Sequence, residues 1–191
     1  MTWLARLDGQ SFGCCAKVGE SGPMGIRAKV GDVFLVPLDG KGWALGQLVS
    51  AWNDELYVAV FGQKVETRDV NPHSVVDQEP VFLALTLDAK LFHGDWPILG
   101  NVQGNLASFP QPAFKVRQSG VVHIESRDRT LSRPALPAEA EILRYRSVSS
   151  PVVIEKAVQA FFAIGDWSPH YDDFPATYAF ETARLLAALK T

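Results

Sequence analysis

The pattern of apolar and polar positions becomes regular near residue 30 and first predicts short strands. Residues 32–38 (DVFLVPL) are almost wholly apolar, which is typical of a strand buried on both faces. Turn residues then separate two further runs, 43–50 (WALGQLVS) and 56–61 (LYVAVF). The three runs predict an antiparallel meander, and Gly46 within the second indicates a bulge or a close approach of two backbones.

More short elements are predicted before the end of this β-rich region. Residues 81–86, 113–117 and 121–125 have the length and composition of strands, and 87–92 have those of one helical turn. A kink at Gly46 would let so short a sheet curl and hide its own edges. We therefore predict an α+β fold whose core is a strongly curved, mostly antiparallel sheet or a small SH3-like barrel.

The period of the apolar positions changes near residue 150, and two helices are predicted there. Ser150 and the proline after it are typical of a helix start, and apolar residues recur at intervals of three and four until Gly165. A second helix with one apolar stripe follows Pro175. Both stripes need a partner face, so we expect the two helices to pack on the sheet. The expected organisation is a flexible arm at 1–28, a β-rich core at 29–148 and a helical pair at 149–191 packed on the core in the same domain.

The composition is that of one globular domain, with 191 residues, 47% of them hydrophobic and 20% charged. A formal charge of −3 gives no strong field toward nucleic acid or anionic lipid, so neither is expected as a partner. No apolar run approaches the ~18 residues that span a bilayer, and no secretory signal is recognisable. Cys14 and Cys15 are adjacent and are expected to be reduced, so we predict a cytoplasmic location.

The familiar motifs for catalysis and metal binding do not occur in the sequence. The four histidines lie far apart, and no metal or cofactor is predicted. His93 and Asp95 could act as an acid–base pair, but no nucleophile accompanies them. Glu139 and Glu141 flank an alanine in a proline-containing connector, where solvated side chains are expected. We therefore predict that the protein is not an enzyme.

Two regions combine charges in ways that suggest binding. Residues 115–146 contain seven basic and four acidic side chains, which could form a phosphate-binding face. Because the acidic residues are interleaved with the basic ones, ion pairs within the chain are the favoured interpretation. Nearer the C-terminus, Asp166, Asp172 and Asp173 lie among aromatic residues. Rigid aromatic groups with steering charges are typical of protein interfaces, although these rings could instead seal the junction between the two helices.

Four motifs follow one another in the β-rich region. They are 29–38 (KVGDVFLVPL), 44–49 (ALGQLV), 57–61 (YVAVF) and 96–101 (WPILGN). In this order and spacing they resemble the immunity protein 26 family of bacterial polymorphic toxin systems, over roughly residues 29–125. The resemblance implies a cytoplasmic antidote that binds and neutralises a cognate protein toxin and catalyses no reaction. If the toxin is a nuclease with a basic cleft, an acidic patch on this protein would complement that cleft.

A binding role directs attention to two groups of candidate partner-binding residues. The first group is Asp166, Trp167, His170, Tyr171, Asp172 and Asp173. The second is His93, Asp95 and Trp96, although a tryptophan before a proline also commonly anchors a turn in the core. Two other functions remain open. One is a nucleic-acid or peptide binding module that uses residues 115–146 of an SH3-like barrel, and the other is a small hydrolase that uses His93 and Asp95.

Overall fold

A computed structural model describes residues 27–188 of the chain and contains two antiparallel sheets. The predicted arm at 1–28 lies almost wholly outside the described residues, as do Cys14 and Cys15. The larger sheet has the order β4-β3-β2-β1-β5. Its strands are β1 (Asp32–Pro37), β2 (Trp43–Trp52), β3 (Glu55–Val65), β4 (Pro80–Thr86) and β5 (Ile98–Asn101).

The second sheet and the helices occupy most of the rest of the described chain. The second sheet has the order β6 (Ala113–Gln118), β7 (Val121–Ser126) and β8 (Ser132–Pro134). The α-helices are α1 (Ala89–Phe92), α2 (Pro137–Ile142), α3 (Pro151–Phe161) and α4 (Thr177–Ala188). The predicted α+β class with mostly antiparallel strands is confirmed. The strands of residues 27–188 form no closed barrel, so the SH3-like part of the prediction is not confirmed.

The larger sheet is buried on both faces. Successive β1 side chains alternate between two apolar clusters, and Phe34 on one face and Leu35 on the other are both fully buried. Helix α3 covers the Phe34 face through Ile154 and Val158, whereas α4 contacts the Leu35 face at Ala179 and then packs on the second sheet through Leu186. The two helices therefore meet opposite faces of the larger sheet, and α4 does so only near its start.

Gly46 marks a bulge, as its position in β2 predicted, and what approaches it closely is a side-chain ring and not a second backbone. The pairing of β2 with β3 shifts register between Ala44 and Gly46. A Cβ atom at Gly46 would overlap the ring of Phe34, so only glycine leaves room for this ring. The Phe34 ring is also stacked on the indole of Trp96.

The outer edge of β4 is covered by two passing segments of the chain. The amide of Leu83 donates to the carbonyl of Phe174 at 2.9 Å, and the amide of Ala176 donates to Val81 at 3.0 Å. Farther along, the amide of Ser149 donates to the carbonyl of Leu85 at 2.9 Å. The opposite edge strand, β5, is only four residues long. Both are familiar ways of protecting a sheet edge.

Candidate functional site

The first predicted group lies on residues 166–173, which we call the acidic–aromatic segment. Helix α3 ends at Phe161, and positive φ angles at Ala163 (57°) and Gly165 (97°) turn the chain toward this segment. The hydroxyl of Ser168 accepts a hydrogen bond from the amide of His170 at the start of a short 3₁₀ helix, Pro169–Tyr171. The backbone of the segment is thus fixed by local hydrogen bonds and by a tight turn.

The side chains of the acidic–aromatic segment contact one another at the surface. Trp167 is 45% exposed, and its Nε1 donates to the carboxylate of Asp172 at 2.8 Å. Its ring meets Tyr171 edge to face, with the centroids 5.5 Å apart. Asp166 and His170 are also exposed, and the Asp166 carboxylate has no hydrogen bond or ion pair within residues 27–188.

The segment is tied to the rest of the molecule by one arginine and several buried rings. Arg144 donates to the carbonyl of Asp172 at 2.9 Å and lies 3.4 Å from the carboxylate of Asp173. On the inner side, Tyr171 stacks on the buried Phe174, and the ring of Trp167 lies 6.1 Å from that of Phe82. The aromatic residues therefore both pack against the core and present an outer surface, and their role in a protein interface stays a prediction.

The second predicted group divides between the surface and the core. His93 and Asp95 are exposed just after α1, but Trp96 is only 1% exposed. The Trp96 indole is parallel to the ring of Phe34, with the centroids 5.2 Å apart, and Nε1 donates to Glu155 on α3 at 3.0 Å. Trp96 is therefore a core residue, the second role that the sequence left open, and it cannot itself contact a partner.

Lys90 connects this buried tryptophan to the surface. Its ammonium group lies 3.4 Å from Glu155 and 3.3 Å from Asp95. Partial burial lowers the pKa of Lys90, but the two carboxylates outweigh burial and raise the pKa above its ordinary value. The charge of Asp95 is thus already partly balanced by a neighbour in the same chain, whereas that of Asp166 is not.

A largely buried group of charges, which we call the arginine–glutamate cluster, joins the two sheets. It consists of Glu55 on β3, Glu125 on β7, and Arg129 and Arg146. The side chain of Arg146 is 7% exposed and hydrogen-bonds both Glu55 and Glu125, which are 8% and 9% exposed. Arg129 lies 3.7 Å from each of the two carboxylates, and its guanidinium covers the ring of Trp52.

The other basic side chains of residues 115–146 are also engaged within the chain. Arg133 donates two hydrogen bonds to Glu139, which is buried, so the expectation that Glu139 is solvated was wrong. Arg127 is buried against Tyr57, and burial lowers its pKa. Lys115 donates to the carbonyl of Ala140. Intramolecular pairing is therefore confirmed, and a phosphate-binding face in this region loses its support.

Two cavities are found among residues 27–188. A cavity of about 30 Å³ between β4 and the second sheet has room for a water molecule. A more open one of about 190 Å³ is lined by Arg27, Asp54 and Asp88 among others, and neither cavity is lined by a histidine. Within the same residues, no group of three potential ligands could hold a metal ion, and no helix is long and apolar enough to cross a membrane.

Phe161 is the surface residue that the sequence analysis missed. Its place in the apolar stripe of α3 predicted burial, yet it is 44% exposed. Phe162 immediately follows it, and neighbouring positions of a helix point about 100° apart, so one stripe cannot bury both fully. Two adjacent phenylalanines therefore indicate that one of the two rings stays partly exposed.

The fold and these surfaces define a small α+β protein whose candidate site is an exposed surface. The model of the immunity protein 26 family matches residues 29–122, and this part of the chain belongs to that family. The resemblance found in the sequence motifs is thereby confirmed. The match runs from β1 into β7, so it contains His93 and Asp95 but ends before the acidic–aromatic segment. A search of curated proteins and a search of solved structures each gave no match.

Proposed function

We propose that this protein is an immunity protein that binds a cognate polymorphic toxin in the cytoplasm and neutralises it by occlusion. The family of residues 29–122 supports this class of function. The proposed antidote acts by binding and carries out no reaction of its own. A scaffold buried on both sheet faces suits such a task, because a rigid surface loses little conformational freedom on binding.

The acidic–aromatic segment is the observation that best supports a specific binding surface. It combines a half-exposed Trp167 with three aspartates on a backbone held by Ser168 and Arg144. Tryptophan and tyrosine are the residues that most often dominate binding energy at interfaces, and exposed carboxylates accelerate association with a basic partner. Asp166, Trp167, His170, Tyr171, Asp172 and Asp173 form the proposed primary surface, with His93 and Asp95 as a secondary one.

The partner that fits this surface is a toxin with a positively charged face. A nuclease with a basic cleft is one toxin of this kind, since covering the cleft would exclude its anionic substrate. The nucleic-acid alternative would depend on residues 115–146, whose basic groups are engaged by their own chain. Binding of that type would weaken steeply with salt even in the absence of any toxin.

A protection assay tests the proposal. Cells that express the toxin encoded beside this gene should survive when the wild-type protein is co-expressed. The double variant Asp172→Lys, Asp173→Lys should lose protection, because it reverses the charge of an exposed surface. The matched control is Asp69→Lys, Asp77→Lys, which makes the same charge change at exposed positions between β3 and β4.

The two variants must be equally folded for this comparison, which urea unfolding of the purified proteins establishes. Protection by the control but not by the 172/173 variant supports the proposed surface. Equal protection by both variants would move the interface elsewhere. A wild-type protein that neither binds nor neutralises the neighbouring toxin would overturn the proposed function itself.

A further inference from the structure

An exposed aromatic ring at the end of α3 extends the acidic–aromatic segment. The ring of Phe161 lies 5.6 Å from the buried ring of Phe82 in an edge-to-face arrangement. Trp167 contacts the same buried ring, at 6.1 Å. Phe161 and Trp167 therefore flank one core residue, and each leaves nearly half of its side chain in solvent, at 44% and 45%.

A glycine keeps one flank of Phe161 open. Gly62 on β3 is exposed, and a Cβ placed there would lie 3.9 Å from the Phe161 ring and 3.1 Å from Val81. Val81 would have to shift by a few tenths of an ångström to admit a side chain at position 62. A long side chain there would start beside the Phe161 ring, so the glycine leaves this flank of the ring free.

We propose that Phe161, together with Trp167, is the aromatic anchor of the toxin interface and receives an arginine or lysine side chain of a basic toxin surface. This inference rests on the proposed function and adds to it Phe161, the extent of the interface and the kind of toxin side chain that binds there. An exposed aromatic face attracts a cation, and the stem of an arginine or lysine packs on the same ring. The interface then extends from residues 166–173 across Phe82 to the end of α3 and to β3.

The charges around the anchor favour a cationic occupant over an apolar one. The Asp166 carboxylate has no partner within residues 27–188 and lies next to Trp167 in the chain. Asp172 accepts a hydrogen bond from the Trp167 Nε1, which fixes the ring while 45% of the residue stays exposed. A preorganised ring beside an unpaired carboxylate offers a cation both of the interactions it needs.

Binding of the purified, catalytically inactivated toxin encoded beside this gene tests the anchor. Phe161→Ala should weaken the Kd at least 30-fold, the effect of truncating an interface hot spot. The matched control is Phe180→Ala on α4, because Phe180 is 36% exposed and lies on the helix that covers the other sheet face. The control should change the Kd less than threefold.

A second pair of variants avoids any loss of packing at Phe161. Gly62→Lys should weaken the Kd at least tenfold, because the new side chain covers Phe161 and repels a basic partner. Gly104→Lys adds the same group at a glycine with no atom within 4 Å of the added Cβ and should leave the Kd unchanged. Circular dichroism and urea unfolding check that all four variants remain folded.

The outcomes separate the two proposals. A wild-type protein that does not bind the toxin overturns the proposed function. Wild-type binding with equal Kd values for Phe161→Ala and Phe180→Ala, and for Gly62→Lys and Gly104→Lys, overturns only the anchor. Weaker binding by Phe161→Ala and Gly62→Lys, but not by their controls, supports the anchor. If these two variants weaken binding just as much when the lysines and arginines of the toxin surface have been replaced, the occupant is not a cation.

Discussion

The arginine–glutamate cluster and the acidic–aromatic segment both place charged groups next to a tryptophan ring, but one is largely buried and the other is exposed. In the cluster, Arg146, Glu55 and Glu125 are each less than 10% exposed, and Arg129 lies on the ring of Trp52. In the segment, Asp166 and Asp172 are exposed beside Trp167. Charge next to an aromatic ring is therefore not itself a sign of a binding surface. The two regions differ in burial: the carboxylates of the cluster are buried, whereas those of the segment are exposed even where Trp167 or Arg144 contacts them.

The energetic consequence differs as well. A buried ion pair contributes little net stability, but removing one partner leaves the other charged and desolvated. An exposed carboxylate can lose its charge with almost no effect on folding. We therefore expect the cluster to be sensitive in stability measurements and the segment to be sensitive in binding measurements.

The largest effect is expected for Arg146→Met. This change removes the arginine that hydrogen-bonds both Glu55 and Glu125 and leaves them only Arg129 at 3.7 Å, so it should lower the free energy of unfolding by about 3 kcal/mol. Urea unfolding followed by circular dichroism measures it. Arg117→Met, at an exposed position of β6, is the control and should cost less than about 0.5 kcal/mol. A cost below about 1 kcal/mol for Arg146→Met would mean that water compensates the two carboxylates.

An intermediate effect is expected for the pH dependence of stability through Glu139. Hydrogen bonds from Arg133, supported by the amide of Leu136, outweigh burial and hold the pKa of Glu139 below its ordinary value of 4.5. A group whose pKa is lower in the folded state stabilises the fold above its unfolded pKa, and this contribution is lost as the pH falls through the folded pKa. Stability should therefore decline below about pH 4.5.

Replacement of Glu139 tests this dependence. Glu139→Gln should lower stability at pH 7 by about 1 kcal/mol and flatten the acid decline. Glu141→Gln, on the exposed side of the same helix, should leave both unchanged. Unfolding free energies at several pH values between 3 and 7 provide the measurement, and an equally steep acid decline in Glu139→Gln would assign it to other carboxylates.

The smallest effect on folding is expected at Asp166. Asp166→Asn removes an exposed charge that has no partner in the described residues, so stability should change by less than about 0.5 kcal/mol. The association rate with a basic toxin should instead fall severalfold at low salt and converge with the wild-type rate at high salt. Stopped-flow association at two salt concentrations checks this. A stability loss above about 1 kcal/mol would place Asp166 in a folded-state interaction.

Local signals in the sequence were sufficient for much of the larger sheet. The run at 32–38 became β1 (Asp32–Pro37), and the run at 56–61 lies within β3 (Glu55–Val65), because apolar patterns and turn residues act over a few positions. Strands β5 and β8 were not predicted. They have only four and three residues, and pairing with a distant strand rather than local preference holds them in place.

The arrangement around the candidate site needed the tertiary structure. An apolar stripe shows that a helix needs a partner but not which sheet face provides it, so the opposite placement of α3 and α4 could not be read from the pattern. The same limit applies to residues 115–146, whose charges pair with residues as remote as Glu55. The six candidate residues at 166–173 were found because they are close together in sequence, whereas Phe161 and Gly62 meet only in the folded chain.

The covered edge of β4 constrains how another protein can recognise this one. Its outward amide of Leu83 and its carbonyls of Val81 and Leu85 are already bonded to the chain itself, at Phe174, Ala176 and Ser149. Another polypeptide cannot extend the sheet there without displacing them. For the proposed antidote, recognition at this edge would therefore depend on side chains and not on main-chain pairing, so selectivity between toxins could change there by point mutation while the scaffold stays intact.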